Sequence, residues 1–164
     1  MAREFEVVAD NVTTVAAVVT LVFINPAAAP NFNLEYRRHW VGFSGSNTSG
    51  QQRVQLVTQV TAFPTLTGAT PVKLRPADPN VSIIVSGTAG AAGTCGINAS
   101  AEGAGGKTVA HPDIFNVLNG WLYIPGPGEV RVMPAGSASG LGLYLPTAPV
   151  TTSGWTAGQT YAEV

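Results

Sequence analysis

Apolar and polar positions alternate along most of this chain. At residues 4–9, Phe5 and Val7 fall on one side and Glu4 and Glu6 on the other, the period of two that a half-buried strand requires. Residues 14–24 carry Val15, Val18, Val19, Thr20, Val22 and Ile24, a β-branched run too short to span a bilayer, and Asn25-Pro26 stops it. Residues 32–43 alternate Phe32, Leu34 and Tyr36 against Asn33, Glu35 and Arg37, with a phase slip near Trp40 and Val41 that predicts a bulge. Residues 53–60 form the clearest strand, with Val54, Leu56, Thr58 and Val60 turned inward and Arg53, Gln55 and Gln59 outward. Four prolines break residues 63–80 into a long turned connection. Short strands follow at 81–85, 95–100, 121–124, 129–133, 141–145 and 160–164. The pattern predicts one all-β domain over residues 1–164, an antiparallel, jelly-roll-like β-sandwich of about eight to ten strands with little or no helix. Residues 1–10 are expected as an extended arm or an edge strand.

Composition adds a feature that the pattern does not show. Charged residues are 10 % of the chain, against roughly 25 % in an average soluble domain. A folded monomer of 16.8 kDa exposes about 7,700 Å², so ionised groups are sparse on its surface. Such a surface is expected to work in contact with neighbours rather than in solvent. The net charge is −1, Arg37 and Arg38 are adjacent but isolated, and Lys73 and Lys107 are the lysines. Nucleic-acid binding by clustered cations is therefore disfavoured. Cys95 has no second cysteine to pair with. Residues 15–24, followed by Ala27-Ala28-Ala29, have the outline of a signal peptide. Glu4, Glu6 and Asp10 ahead of them carry the wrong sign, however, and a buried strand with no membrane role is expected instead.

Candidate chemistry is thin. Residues 101–108 (AEGAGGKT) approach a phosphate loop, but Ala101 stands where the motif needs Gly and Pro112 arrives too early for the helix such a loop opens. The glycines of 87–93 lack a βαβ unit and are expected as a loop or hairpin tip, and those of 103–106 as part of a flexible glycine loop. Cys95, His39 and His111 are the possible nucleophile, bases or metal ligands, with Asp113 as a fourth ligand, and their spacing shows no ligand pairing. The expectation is a non-enzymatic protein without cofactor, metal or small-molecule substrate. Asn-x-Ser/Thr triplets at Asn11, Asn47, Asn80 and Asn98 are expected by chance in so Asn-, Ser- and Thr-rich a chain. Trp40, Trp121 and Trp155, with Tyr36 and Tyr144, are expected mainly in the core, with interface anchoring or sugar stacking as alternatives.

Residues 37–45 (RRHWVGFSG) and 54–80, with the Thr70-Pro71-Val72-Lys73-Leu74 to Asp78-Pro79 turn, resemble small virion proteins of tailed bacteriophages. His111-Pro112, residues 125–133 (PGPGEVRVM), residues 140–147 (GLGLYLPT) and Thr160-Tyr161 extend the resemblance over most of the chain. The pattern departs at 114–120 and in the longer stretch 149–158. The resemblance implies a β-sandwich or jelly-roll subunit of a phage particle, made in the host cytoplasm and seated as a decoration (cement) protein on the capsid exterior. The implied partners are the major capsid protein and other copies of the chain, as in a trimer. The expected contact residues are Arg37, Arg38, Trp40, Phe63 and Trp155. The alternative is a tail or adsorption module that binds host-surface glycans on an aromatic platform including Trp155 and Tyr144.

Overall fold

The computed structural model describes residues 3–45 and 48–164. The Asn47 triplet, the middle of the loop expected at 44–50 and Ala2 of the expected arm lie outside the described residues. Thirteen strands and no helix run through the described residues. They are β1 (Arg3–Val12), β2 (Val19–Ile24), β3 (Leu34–Phe43), β4 (Gln51–Val60), β5 (Thr65–Gly68), β6 (Val72–Lys73), β7 (Val85–Ser86), β8 (Thr94–Ala101), β9 (Lys107–Asn116), β10 (Trp121–Tyr123), β11 (Arg131–Met133), β12 (Ser139–Leu145) and β13 (Trp155–Glu163).

Two sheets face each other. The first has the order β10-β3-β13-β1-β6 with β11 also on β3, and the second β5-β8-β2-β12-β4-β9 with β7 on β8. All pairings are antiparallel except β7 with β8. Strands β1 to β4 alternate between the sheets, and their partners return in reverse order: β9 on β4, β10 and β11 on β3, β12 on β2, β13 on β1. That nesting is the jelly-roll form of a sandwich. The inserted β6 and β8 extend the sheets beyond β1 and β2.

The core forms where the inward positions meet. Phe5, Val7, Tyr36, Trp155 and Tyr161 of the first sheet and Ile24, Val54, Leu141 and Leu143 of the second are fully buried. The Tyr36 hydroxyl ties the layers by donating to the Ile24 carbonyl at 3.0 Å. All six residues of β2 are buried, because its outward Phe23 is covered in turn by Phe63, with ring centroids 5.5 Å apart. Gly140 makes room for this: a Cβ there would meet the Phe23 ring at 2.3 Å.

Four details differ from the sequence expectation. The strand count is higher because the proline-broken stretch supplies β5 and β6 and because β9 forms beyond the glycine loop, over residues the alternation did not mark. In β4, Val54 and Leu56 are buried as expected, but Thr58 is half-buried and Val60 is 45 % exposed. Val57 and Gln59 are buried instead, Gln59 under the chain turn at Ala62, whose carbonyl accepts from its Nε2 at 2.9 Å. The bulge in β3 lies at Arg37 rather than at Trp40: Thr160 pairs with Arg38 and Tyr161 with Tyr36, leaving Arg37 as the extra residue. The N-terminal segment, expected as an extended arm or an edge strand, is in its described part an internal strand, paired with β13 on one side and with β6 on the other, and Phe5, Val7 and Ala9 are buried against the second sheet.

Candidate docking face

The outer side of the first sheet is built from the positions that alternate with this core. The bulge at Arg37 lets Arg37 and Arg38 both point outward, where an unbroken strand would turn one of them in. Cross-strand register then aligns Leu122 beside Trp40, Trp40 beside Gly158 and Gly158 beside Val8. Gly158 is required here, since a Cβ would meet the Trp40 indole at 2.5 Å. The indole therefore lies flat across β13. Leu122 is 61 % exposed next to it, and Ile124 and Val132 are exposed on the same flank.

The charges of this face neutralise one another. Glu6 Oε1 accepts from Arg38 Nη2 at 2.8 Å, Trp40 Nε1 at 2.9 Å and Thr160 Oγ1 at 3.2 Å. Arg37 donates to Glu4 and, at 2.9 Å, to Glu35. The hydrogen bond to Glu35 is the largest cause raising the Arg37 pKa above its ordinary value. Arg75 stands 3.5 Å from the other oxygen of Glu4. A partner meeting this face finds an indole, exposed aliphatic groups and ion pairs already closed, so little desolvation of free charge opposes contact.

The five contact residues expected from the sequence separate into three places. Arg37, Arg38 and Trp40 come together on this face. Phe63 is half-buried on the outer side of the second sheet, as the cap over Phe23. Trp155 is corrected to a core residue: it is 0 % exposed, its ring packs 4.6 Å from that of Phe43, and its Nε1 donates to the Thr151 carbonyl at 2.8 Å. Tyr144 is half-buried with the Lys107 ammonium 5.0 Å from its ring, and its pKa is raised by burial and then by Glu102. Trp155 and Tyr144 thus form no open platform. Leu122, Ile124 and Val132 were not marked by the sequence, because an exposed aliphatic residue in a short edge strand has the same pattern as a buried one.

The chemical candidates are also placed. The Cys95 thiol donates to the Ala69 carbonyl at 3.0 Å, and burial pushes its pKa up to about 12, the wrong direction for a nucleophile. His39 is buried between the rings of Tyr36 and Tyr123, and His111 stacks on the other side of Tyr123 at 4.0 Å. Burial first, then His111 and Arg131, pushes the His39 pKa down to about 3. Asp113 accepts from the Trp121 indole at 2.8 Å, the main cause holding its pKa below the ordinary value. Among the described residues no group of three His, Cys, Asp or Glu side chains is arranged to hold a metal ion. The glycine loops are structural: Gly90 abuts Phe63, and Gly103 abuts the carbonyls of Ala62 and Phe63, both glycines with positive φ. Comparison of the chain with protein-family models, with curated proteins and with solved structures finds no match.

Proposed function

We propose that this chain is a non-enzymatic structural subunit of a tailed-bacteriophage particle. It would act as a decoration protein on the capsid exterior, with the outer face of its first sheet against the major capsid protein. The observation that carries the reading is that face: Trp40 and Leu122 stand side by side among carboxylates and guanidiniums that are already paired. The resemblance of residues 37–45 and 54–80 to small phage virion proteins supplies the choice of particle. Stabilisation then comes from contact area, roughly 1,000 Å² or more at each site, repeated over the shell and multiplied if the chain associates with itself, for instance as a trimer.

The test is direct. Purified protein mixed with undecorated shells is expected to sediment with them in hundreds of copies. The pair Trp40→Ala and Leu122→Ser is expected to weaken that association at least about tenfold, as loss of a central aromatic anchor does. No sedimentation shift, or binding unchanged in the double variant, overturns the proposal.

A further inference from the structure

A cleft of about 670 Å³ opens where the start of β1 and the end of β13 meet the loop after β6, away from the apolar row of Trp40 and Leu122. The volume falls in the range of roughly 300–1,000 Å³ typical of ligand sites. One wall carries Phe32, 44 % exposed, with the Arg3 guanidinium 4.4 Å from the ring centroid. Arg3 is itself fixed, by the Glu163 carboxylate at 2.6 Å and the Val81 carbonyl at 3.3 Å. Glu163 is fully buried and also accepts from Ser82 Oγ at 2.6 Å and from the Ile83 amide at 2.9 Å. An exposed aromatic ring is thus held in place through a chain of bonds that ends in the buried part of the molecule.

The remaining lining selects the ligand. Arg75 is the exposed cation of the cleft, and beside it Asp78 takes the Asn80 amide at 3.0 Å. The set offers a planar guanidinium, a carboxylate and a primary amide, donors and acceptors together, without an excess of either charge: Arg3 is matched by Glu163, Arg75 stands by Glu4, and Asp78 lines the same cleft. A phosphate or other anion would meet Asp78 on the same wall, and a purely apolar ligand would strip water from three polar groups without replacing it. A hydroxylated ring satisfies both conditions, its C–H groups against the part of the Phe32 ring that Arg3 does not cover and its vicinal hydroxyls on Arg75, Asp78 and Asn80. We infer that this cleft is a carbohydrate-binding site for a neutral pyranose unit. This departs from the leading sequence expectation of no small-molecule partner, and it lies apart from Trp155 and Tyr144, where the alternative expectation put glycan binding. It is also independent of where in a particle the chain sits.

Saturation-transfer NMR of the full chain with methyl pyranosides of glucose, galactose, mannose and N-acetylglucosamine tests it. At least one is expected to bind with a Kd below roughly 10 mM, the affinity of a single weak site. That signal is expected to fall at least about tenfold in Phe32→Ala and in Arg75→Ala, and to persist in Trp40→Ala. Arg75 and Asn80 are both exposed, so Asn80→Ala provides a further variant if Phe32→Ala fails to fold. Absence of transfer to every pyranoside, or transfer that survives these substitutions, overturns the inference. Sedimentation of Phe32→Ala with shells reads the proposed function separately.

Discussion

Trp40 and Trp155 show how far residue type falls short of residue role. Trp155 is buried with no exposed surface where β13 begins and β1 and β3 end, whereas Trp40 lies flat on Gly158 with its indole N–H spent on Glu6. Trp155→Ala is expected to cost about 3–5 kcal/mol by leaving a large cavity. Trp40→Ala removes a half-buried ring and one hydrogen bond and is expected to cost at most about 2 kcal/mol. Urea unfolding monitored by far-ultraviolet circular dichroism separates the two, and equal losses would place Trp40 in the core as well. The pattern of neighbouring residues does not reveal this difference. Gly154 and Gly158 interrupt the alternation around Trp155, so β13 shows as a strand only from Thr160 onward.

Strand β9 is the element that alternation did not reveal, and the physical reason is its place at the sheet edge. It pairs with β4 on one side and, among the described residues, with no strand on the other, and apart from buried Phe115 both of its faces are exposed or half-buried, so no period of two survives. Pro112 sits opposite Gln55 and has no N–H to offer a further strand. Ile114 has the same orientation along the strand, and its amide donates to the Asp113 carboxylate at 2.7 Å. The free edge is therefore closed at two successive outward amides, one absent and one occupied, which is how exposed edges avoid pairing with other chains. The double change Pro112→Thr with Asp113→Ser is expected to open that edge. Light scattering coupled to size exclusion should then show association that grows with concentration; a mass unchanged from the parent would assign the protection elsewhere. The long, one-sidedly buried elements were legible for the converse reason. Buried Phe5 and Val7 in β1 and Val54 and Leu56 in β4 keep their period because a packed second sheet lies beneath them. The candidate face was legible only in part: the register aligning Leu122, Trp40, Gly158 and Val8 spans four strands far apart in the chain.

At the scale of the molecule, one edge of the sandwich is closed by rings rather than by backbone. Tyr123 of β10 lies between His39 of β3 and His111 of β9, with Arg131, Glu129 and Tyr36 around the small cavity of about 20 Å³ that they share and Gln159 of β13 against His39. Because the His39 pKa falls from 6.5 to about 3 on folding, the unfolded chain takes up a proton that the folded one refuses. Stability is full above pH 6.5 and declines as the pH falls toward 3. The unfolding equilibrium should rise about thirty-fold between pH 7.5 and 5, less so in His39→Gln. Asp113, with an ordinary value of 3.8 depressed further, adds its loss only below this window. Urea titrations at the two pH values read the difference, and identical slopes in parent and variant would remove His39 as its source. The opposite edge carries a practical consequence. Arg3 and Glu163 are register partners as well as an ion pair, so polypeptide fused ahead of residue 3 and polypeptide fused behind residue 164 would emerge from a single rim. An affinity tag or displayed cargo attached at either site would crowd the mouth lined by Phe32 and Arg75 while leaving the Trp40 side unobstructed.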